Sequence, residues 1–273
     1  MKQVIQKKQN MYFISHGGGP WPWLKKEMPY YELLEQSLKK IPGELPQESK
    51  AIALITAHWE DADFKISYIS EPPILYDYGG FPEHTYKVKY EPSGDTSLAK
   101  KIKQIVNKKG IEASLDNVRG IDHGTFVPLF VMYPNAKIPI VQISIKNNYS
   151  PQEHINFGEA LAQLRDENIL IIGSGLSFHN MSSFFSKSKS IAGDSKKFDD
   201  WLQDTIVRSS PSERINKLIG WKSAPLARFA HPKEDHLMPL FVIVGAAQKS
   251  AATLNYHEEK FFNSITVSGF KFC

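Results

Sequence analysis

The stretch Met11-Tyr-Phe-Ile-Ser-His-Gly-Gly-Gly-Pro20 decides how the rest of the chain reads. Tyr12 to Ile14 is a short apolar run, the mark of a buried strand, and it stops abruptly at His16, three glycines and a proline. Glycine admits positive φ and close backbone approach, so such a run directly behind a strand usually shapes a site. His16 then falls at the carboxyl edge of its strand, where open α/β sheets place their ligands. A second apolar run, Ala51-Ile-Ala-Leu-Ile-Thr56, ends the same way, in Ala57-His58-Trp59-Glu60. Two strands that each deliver a histidine to their C-terminal edge point to a metal site.

The remaining segments alternate between the two periodicities. Strands are expected at 64–70, 111–115, 139–145 and 168–173, with closing strands at 252–256 and 265–270. Helices are expected at 31–40, 97–108, 127–132, 151–165, 198–207, 211–219 and 240–247. Pro151 at the head of its helix is a start signal. The Ser- and Lys-rich stretch from Ser183 to Lys197 reads as an exposed loop. Strands alternating with helices predict an α/β fold: a single domain over residues 1–273, with a mainly parallel central sheet flanked by helices. No internal repeat or linker divides it.

Composition narrows the function. Hydrophobic residues at 41% and charged residues at 23% are those of an ordinary globular protein. The net charge of +4 is mild and its basic residues are scattered, which argues against a nucleic-acid partner. No apolar run reaches the roughly 18 residues of a membrane span, and the polar start from Met1 to Asn10 lacks a signal segment. A cytoplasmic location is expected. The lone Cys273 leaves no cysteine pair for a disulfide and argues against thiolate chemistry. Oligomeric state cannot be read from these features.

Nine histidines remain as the chemistry-bearing residues. His16, His58, His123 and His179 each follow a strand or open a loop beside glycine or small residues, and His236 precedes a helix. His84, His154 and His257 sit in polar surroundings and read as solvated. His231, five positions before His236, is an alternative ligand. A nitrogen or nitrogen/carboxylate site without thiolate suits Zn(II), Fe(II), Ni(II) or Cu(II). Between them lies an aromatic loop, Pro72-Pro-Ile-Leu-Tyr-Asp-Tyr-Gly-Gly-Phe-Pro-Glu-His84, too irregular for an element and too apolar for an idle linker.

Ser15-His-Gly-Gly-Gly-Pro20, Thr56-Ala-His-Trp59, Tyr76-Asp-Tyr-Gly-Gly-Phe-Pro82, Gly120-Ile-Asp-His-Gly124, Gly173-Ser-Gly-Leu-Ser-Phe-His-Asn180 and Glu234-Asp-His-Leu-Met-Pro-Leu240 follow one another in this order. Together they resemble the class III (LigB-type) extradiol ring-cleavage dioxygenases, in the DOPA-dioxygenase-like branch. The resemblance runs from about residue 11 to about residue 245. It implies a metal held by His16, His58 and His236, a catalytic acid/base at His179, and His123 lining the pocket against substrate or oxygen. It implies Fe(II) as cofactor, with Zn(II) able to occupy the site, and a catechol plus O2 as substrates. The chain departs from the wider class where a glutamate serves as third ligand: here His236 fits the branch pattern, and Glu234 and His231 remain alternatives. His179 stays open as base or as a further ligand. Gly19 adds a glycine where the bacterial turn often reads His-Gly-Ser/Ala-Pro.

These residue types suit that chemistry. Ferrous iron with three protein ligands on one face keeps positions free for both catechol oxygens and O2. A histidine, with an unperturbed pKa near ~6.5, can take a catechol proton and later return one. Asp122 is the neighbour expected to set the tautomer of His123. Tyr76, Phe81 and Trp59 are expected to wall the pocket, with Trp21 and Trp23 as further candidates, and Arg228 and Lys233 as less favoured partners for a substrate carboxylate. The rivals are a zinc hydrolase of the same fold and a homologue that binds metal without turnover.

Overall fold

A computed structural model describes residues 8–186, 188 and 190–273. Its strands are β1 (Met11–Ser15), β2 (Ala51–Asp61), β3 (Phe64–Ser67), β4 (Ala113–Asp116), β5 (Ile140–Lys146), β6 (Ile169–Gly175), β7 (Ala252–Phe261) and β8 (Ile265–Phe272). They form one sheet in the order β4-β3-β5-β2-β6-β1-β8-β7. The four central strands β5, β2, β6 and β1 are parallel. Direction reverses toward both edges, where β3 pairs antiparallel with β5 and β8 antiparallel with β1 and β7. This is the expected single α/β domain with a mostly parallel sheet.

Burial explains the arrangement. Every residue of β1 and β6 is buried, so these strands read as continuous apolar runs, as strands covered on both faces must. Edge strand β7 mixes buried and exposed positions and carries charge at Glu258, Glu259 and Lys260, which blunts a free sheet edge.

The helices are α1 (Glu32–Glu44), α2 (Thr96–Asn107), α3 (His123–Met132), α4 (Pro151–Leu161), α5 (Met181–Phe184), α6 (Ser190–Gln203), α7 (Pro211–Ile219), α8 (Ala227–Ala230) and α9 (Met238–Ala247). Several starts are chemically marked: Asp95 and Ser150 accept backbone N–H groups at the heads of α2 and α4, and Ser210 with Glu213 forms a capping box before α7. A side chain at Gly173 would strike Ile243 and the carbonyl of Pro239 in α9, whereas the hydroxyl of the next residue, Ser174, donates to the Gly124 carbonyl in α3. Successive strand residues face opposite ways, so α9 and α3 cover opposite faces of β6.

Four expectations are corrected. β2 does not end at Thr56 but runs to Asp61. It pairs with β5 up to Ile55–Ile143 and resumes at Glu60–Ile145, so Thr56, Ala57, His58 and Trp59 stand opposite Ser144 alone. That bulge lets one strand both continue the sheet and present a histidine. Helix α3 starts at His123 itself rather than at Val127. The expected loop from Ser183 to Lys197 is largely helical, with α5 running into it and α6 beginning at Ser190; residues 187 and 189 lie outside the described residues.

The fourth correction concerns His154, which is fully buried rather than solvated. Its Nδ1–H donates to the Ser150 carbonyl (2.7 Å), and its Nε2 accepts the Lys146 N–H (3.1 Å). No room is left for a second proton, and burial lowers its pKa to about 4. His84 and His257 are both exposed as expected, the latter with Nδ1 3.0 Å from the Ser268 hydroxyl.

Because the folded pKa of His154 lies below the ordinary value of 6.5, the unfolded chain binds more protons between the two values, and stability rises with pH there. The contribution is complete above about 6.5 and fades as the pH falls toward about 4. His154→Gln, which retains a donor and an acceptor, should remove about 2 kcal/mol of the stability loss between about pH 7 and about pH 5 in urea unfolding. A profile identical to that of the unsubstituted chain would place the acid sensitivity elsewhere.

Candidate metal centre and active site

Three neighbouring strands, β1, β6 and β2, bring the histidines together. His16 follows β1 directly, and its N–H donates to the Gly175 carbonyl at the end of β6. The glycine turn behind it is held from both sides. The Trp21 indole donates to the His16 carbonyl (2.8 Å), and Gly19, at φ +55°, leaves space that Phe81 of the aromatic loop fills. His58 projects from the β2 bulge. His236 precedes α9, and its carbonyl accepts the Leu176 N–H, so the backbone passes across the end of β6. A Cβ at Gly175 would lie 2.1 Å from that carbonyl, which makes glycine obligatory there.

Donor atoms of His16, His58 and His236 lie within 4.8 Å of one another. The Nε2 atoms of His16 and His58 are 3.1 Å apart. His123 and His179 complete the cluster: the His58 and His123 rings are 4.0 Å apart between centroids, and His179 stacks on His236 at 3.4 Å and 12°. The alternatives for the third position turn away. Glu234 pairs with Arg228 (2.7 Å) and Lys222 (3.4 Å). His231 donates from Nε2 to the Ser177 carbonyl, with its ring between Phe198 and Trp221.

Hydrogen bonds place the proton on Nδ1 of two of the rings, His16 and His123. The Ser174 hydroxyl donates to Gly124, so its oxygen accepts from Nδ1–H of His16 (3.0 Å). One oxygen of Asp77 accepts both the backbone N–H and Nδ1–H of His123, each at 2.9 Å. The other lies 3.5 Å from Nδ1 of His58. On the far side Asp235 lies 3.1 Å from Nδ1 of His236 and 4.0 Å from Nδ1 of His179, and it accepts the His236 backbone N–H, while Nδ1 of His236 has no hydrogen-bond partner among the described residues. Each of the two carboxylates thus lies beside two imidazoles, and Asp77 accepts a ring hydrogen bond from one of them, His123. Burial holds His16 and His236 well below the usual histidine range, pushes His58 down to about 3, and lowers His179. Burial works to raise the Asp77 carboxyl, but the His123 hydrogen bonds and the nearby His58 outweigh it and hold the group ionised.

With His16 protonated on Nδ1, its Nε2 lone pair faces Nε2 of His58 at 3.1 Å, a spacing that a proton on His58 Nε2 bridges as an N–H···N bond and that a shared cation bridges equally well. Two nitrogens each about 2.1 Å from one ion stand roughly 3 Å apart, close to the separation seen. The donor set fits a divalent metal.

Asp122 is not the partner expected for His123. Its carboxylate accepts from Thr56 Oγ1 (2.8 Å) and faces Arg119, and burial, reinforced by the charge of Asp77, raises its pKa to about 6. Sequence reasoning passed over Asp77 and Asp235; the signal for Asp77 was that it is the one charged residue between Pro72 and Pro82. Of the expected wall residues, Phe81 packs on the glycine turn, and Tyr76 donates to the Val88 carbonyl while its ring faces Tyr78 and Phe126. Tyr78 stands 6.0 Å from the His123 ring. Trp59 is buried beneath the Arg119 guanidinium, which itself donates to the His58 carbonyl, so Trp59 braces the bulge from behind. Trp23 stacks on Phe130. Arg228 and Lys233 are engaged with Glu234 and Glu60.

Imidazoles gathered at the carboxyl ends of parallel strands, with carboxylates behind them, define a histidine-centred enzyme site on an α/β scaffold. Residues 11–269 match the family described as the catalytic LigB subunit of aromatic ring-opening dioxygenase, and the chain belongs to this family of extradiol ring-cleaving enzymes. It is 33% identical over 254 residues to the 4,5-DOPA dioxygenase extradiol of Mirabilis jalapa, covering 93% of this chain and 92% of that one. Identity to the Beta vulgaris protein of the same name is 34% over 262 residues, covering 96% and 95%. Among solved structures, an uncharacterized protein from Escherichia coli K12 shares the fold, with a TM-score of 0.77 at 24% identity over 97% of this chain and 99% of that one.

Substituting Gly175→Ala should force the His236 backbone off β6. Overpacking of this kind costs about 1 to 3 kcal/mol, readable as a lowered midpoint in chemical unfolding. A midpoint within error of the unsubstituted chain would show that the two segments are not in the contact described.

Proposed function

We propose that this protein is an Fe(II)-dependent extradiol dioxygenase that opens a catechol ring with O2, in a site formed by His16, His58 and His236 as metal ligands. The observation that carries the reading is the convergence of imidazole nitrogens from His16, His58 and His236 within 4.8 Å of one another, with Ser174, Asp77 and Asp235 behind the rings. The whole chain acts as one catalytic domain. Bound iron supplies sites for both catechol oxygens and for O2, and an electronic path between them.

The protein's own residues do the rest. His179, kept neutral by burial, takes the proton that the catechol loses on binding. The nearby Asp235 carboxylate steadies the charge formed, and burial makes the imidazole a weak enough base to give the proton back. His123, with Nδ1–H committed to Asp77, has Nε2 free as an acceptor from substrate. Tyr78 and Phe81, beside Tyr76, offer flat apolar surface to the ring, and the seating of Phe81 on the glycine turn limits water at that side. No helix among the described residues is long and apolar enough to cross a membrane, in keeping with a small-molecule substrate met in water.

Anaerobic loading with Fe(II), followed by O2 uptake and product absorbance with a panel of catechols, tests this. Turnover with Fe(II) and none with Zn(II) is expected. His179→Ala should retain metal and lose turnover by roughly 100-fold or more, while His16→Ala, His58→Ala and His236→Ala should lose both. Normal turnover by His179→Ala would overturn the proton-transfer role. Activity with Zn(II) and no oxygen consumption would overturn the dioxygenase reading in favour of hydrolysis.

A further inference from the structure

Asp77 is out of place in its own loop. Residues 72–82 are prolines, glycines, aliphatics and aromatics with this single charge among them, and the side chain is mostly buried. The loop is held by an isolated bridge from Ile74 to Ile121, by backbone bonds between Leu75 and Ile121, Ile121 and Pro73, and Asp77 and Leu75, and by the Tyr76 and Tyr78 hydroxyls, which donate to the Val88 and Thr85 carbonyls. The Asp77 carboxylate reaches two other elements at once. It accepts the backbone N–H of His123, the first residue of α3, where a helix end attracts negative charge. Asp122, which precedes that helix, makes no side-chain cap of its own, so the cap comes from a loop 46 residues away. The same carboxylate accepts Nδ1–H of His123, and its other oxygen lies 3.5 Å from Nδ1 of His58.

We infer that Asp77 is a positioning residue that couples the aromatic wall to the metal: it seats the loop carrying Tyr76, Tyr78 and Phe81 and, in the same contact, keeps the Nε2 lone pair of His58 directed at the ion. This rests on the metal reading proposed above. By linkage, whatever the carboxylate adds to metal affinity, the metal returns as order in the loop. An empty site therefore has a looser substrate wall, and a loaded one presents the wall already formed.

The chemistry distinguishes this from simple packing. Asp77→Asn retains size and an acceptor for His123, but its amide NH2 faces Nδ1 of His58. The ring is then drawn into the other tautomer, with its proton on Nε2, the nitrogen 3.1 Å from His16. The test uses the full chain with Co(II) as probe, followed by its visible absorption and by amide hydrogen exchange. In the unsubstituted protein, one equivalent of Co(II) should bind and slow exchange at residues 75–78. In Asp77→Asn and Asp77→Ala, Co(II) affinity should fall roughly 10- to 100-fold and the slowing should disappear. Metal-free Asp77→Asn should still unfold in one cooperative transition, at a modestly lowered melting temperature, which separates the effect from misfolding.

Asp77→Asn binding Co(II) as tightly as the unsubstituted chain would overturn the proposal. So would two bound equivalents of which Asp77→Asn loses one, because Asp77 would then be a ligand itself. If the unsubstituted protein takes up no Co(II), both this and the metal reading fall; if it binds and the variant is unaffected, only this one falls.

Discussion

Neutral imidazoles crowded into a dry pocket need somewhere to put their N–H groups, and that need organises the site. A buried donor without an acceptor costs about 1 to 3 kcal/mol. Here Ser174 accepts from His16, Asp77 from His123 with His58 in reach, and Asp235 lies against His236 and His179. With the His16 and His123 protons facing outward, their Nε2 lone pairs face inward, the arrangement that the proposed metal site requires. The Asp77 side chain is mostly buried as well, and it stays charged because His123 donates to it.

The sheet makes this possible by ending several strands at one place. β6 lies between β1 and β2, so three chain segments far apart in sequence leave the sheet side by side. Helix α3 covers one face and α9 the other, and each begins at or just after a histidine, His123 and His236. Helix starts are therefore used twice, to close the core and to aim a ring.

Much of this was legible in the residues. β1 and β6 are runs of large apolar side chains that allow no other reading, and His16 follows one of them with glycines behind it. The order of six short motifs then pointed to the family. What was not legible depended on contacts between distant segments. Asp122 looked like the partner of His123 because it is adjacent, yet at a helix start the preceding side chain turned to Thr56, and the partner came from the aromatic loop. The extension of β2 past His58 was hidden because a bulge breaks the alternation that marks a strand. His154 was misjudged from its polar neighbours, although His154, Phe157, Gly158 and Leu161 fall at helical spacing on one buried stripe. The helical start at Ser190 was masked by serine and lysine, which carry little pattern.

The two arms that hold the site differ in how easily they can give way. His236 is continuous with α9, whose ten residues are all buried, so that arm cannot loosen without opening the core of the whole molecule. His58 stands on a bulge, partly open to solvent, and its carboxylate comes from an irregular surface loop. On the proposed metal reading, an ion would exchange with the surroundings on the His58 side, with His16 and His236 as the fixed jaw, and the lifetime of the loaded state would follow the fraying of one short loop rather than the stability of the fold.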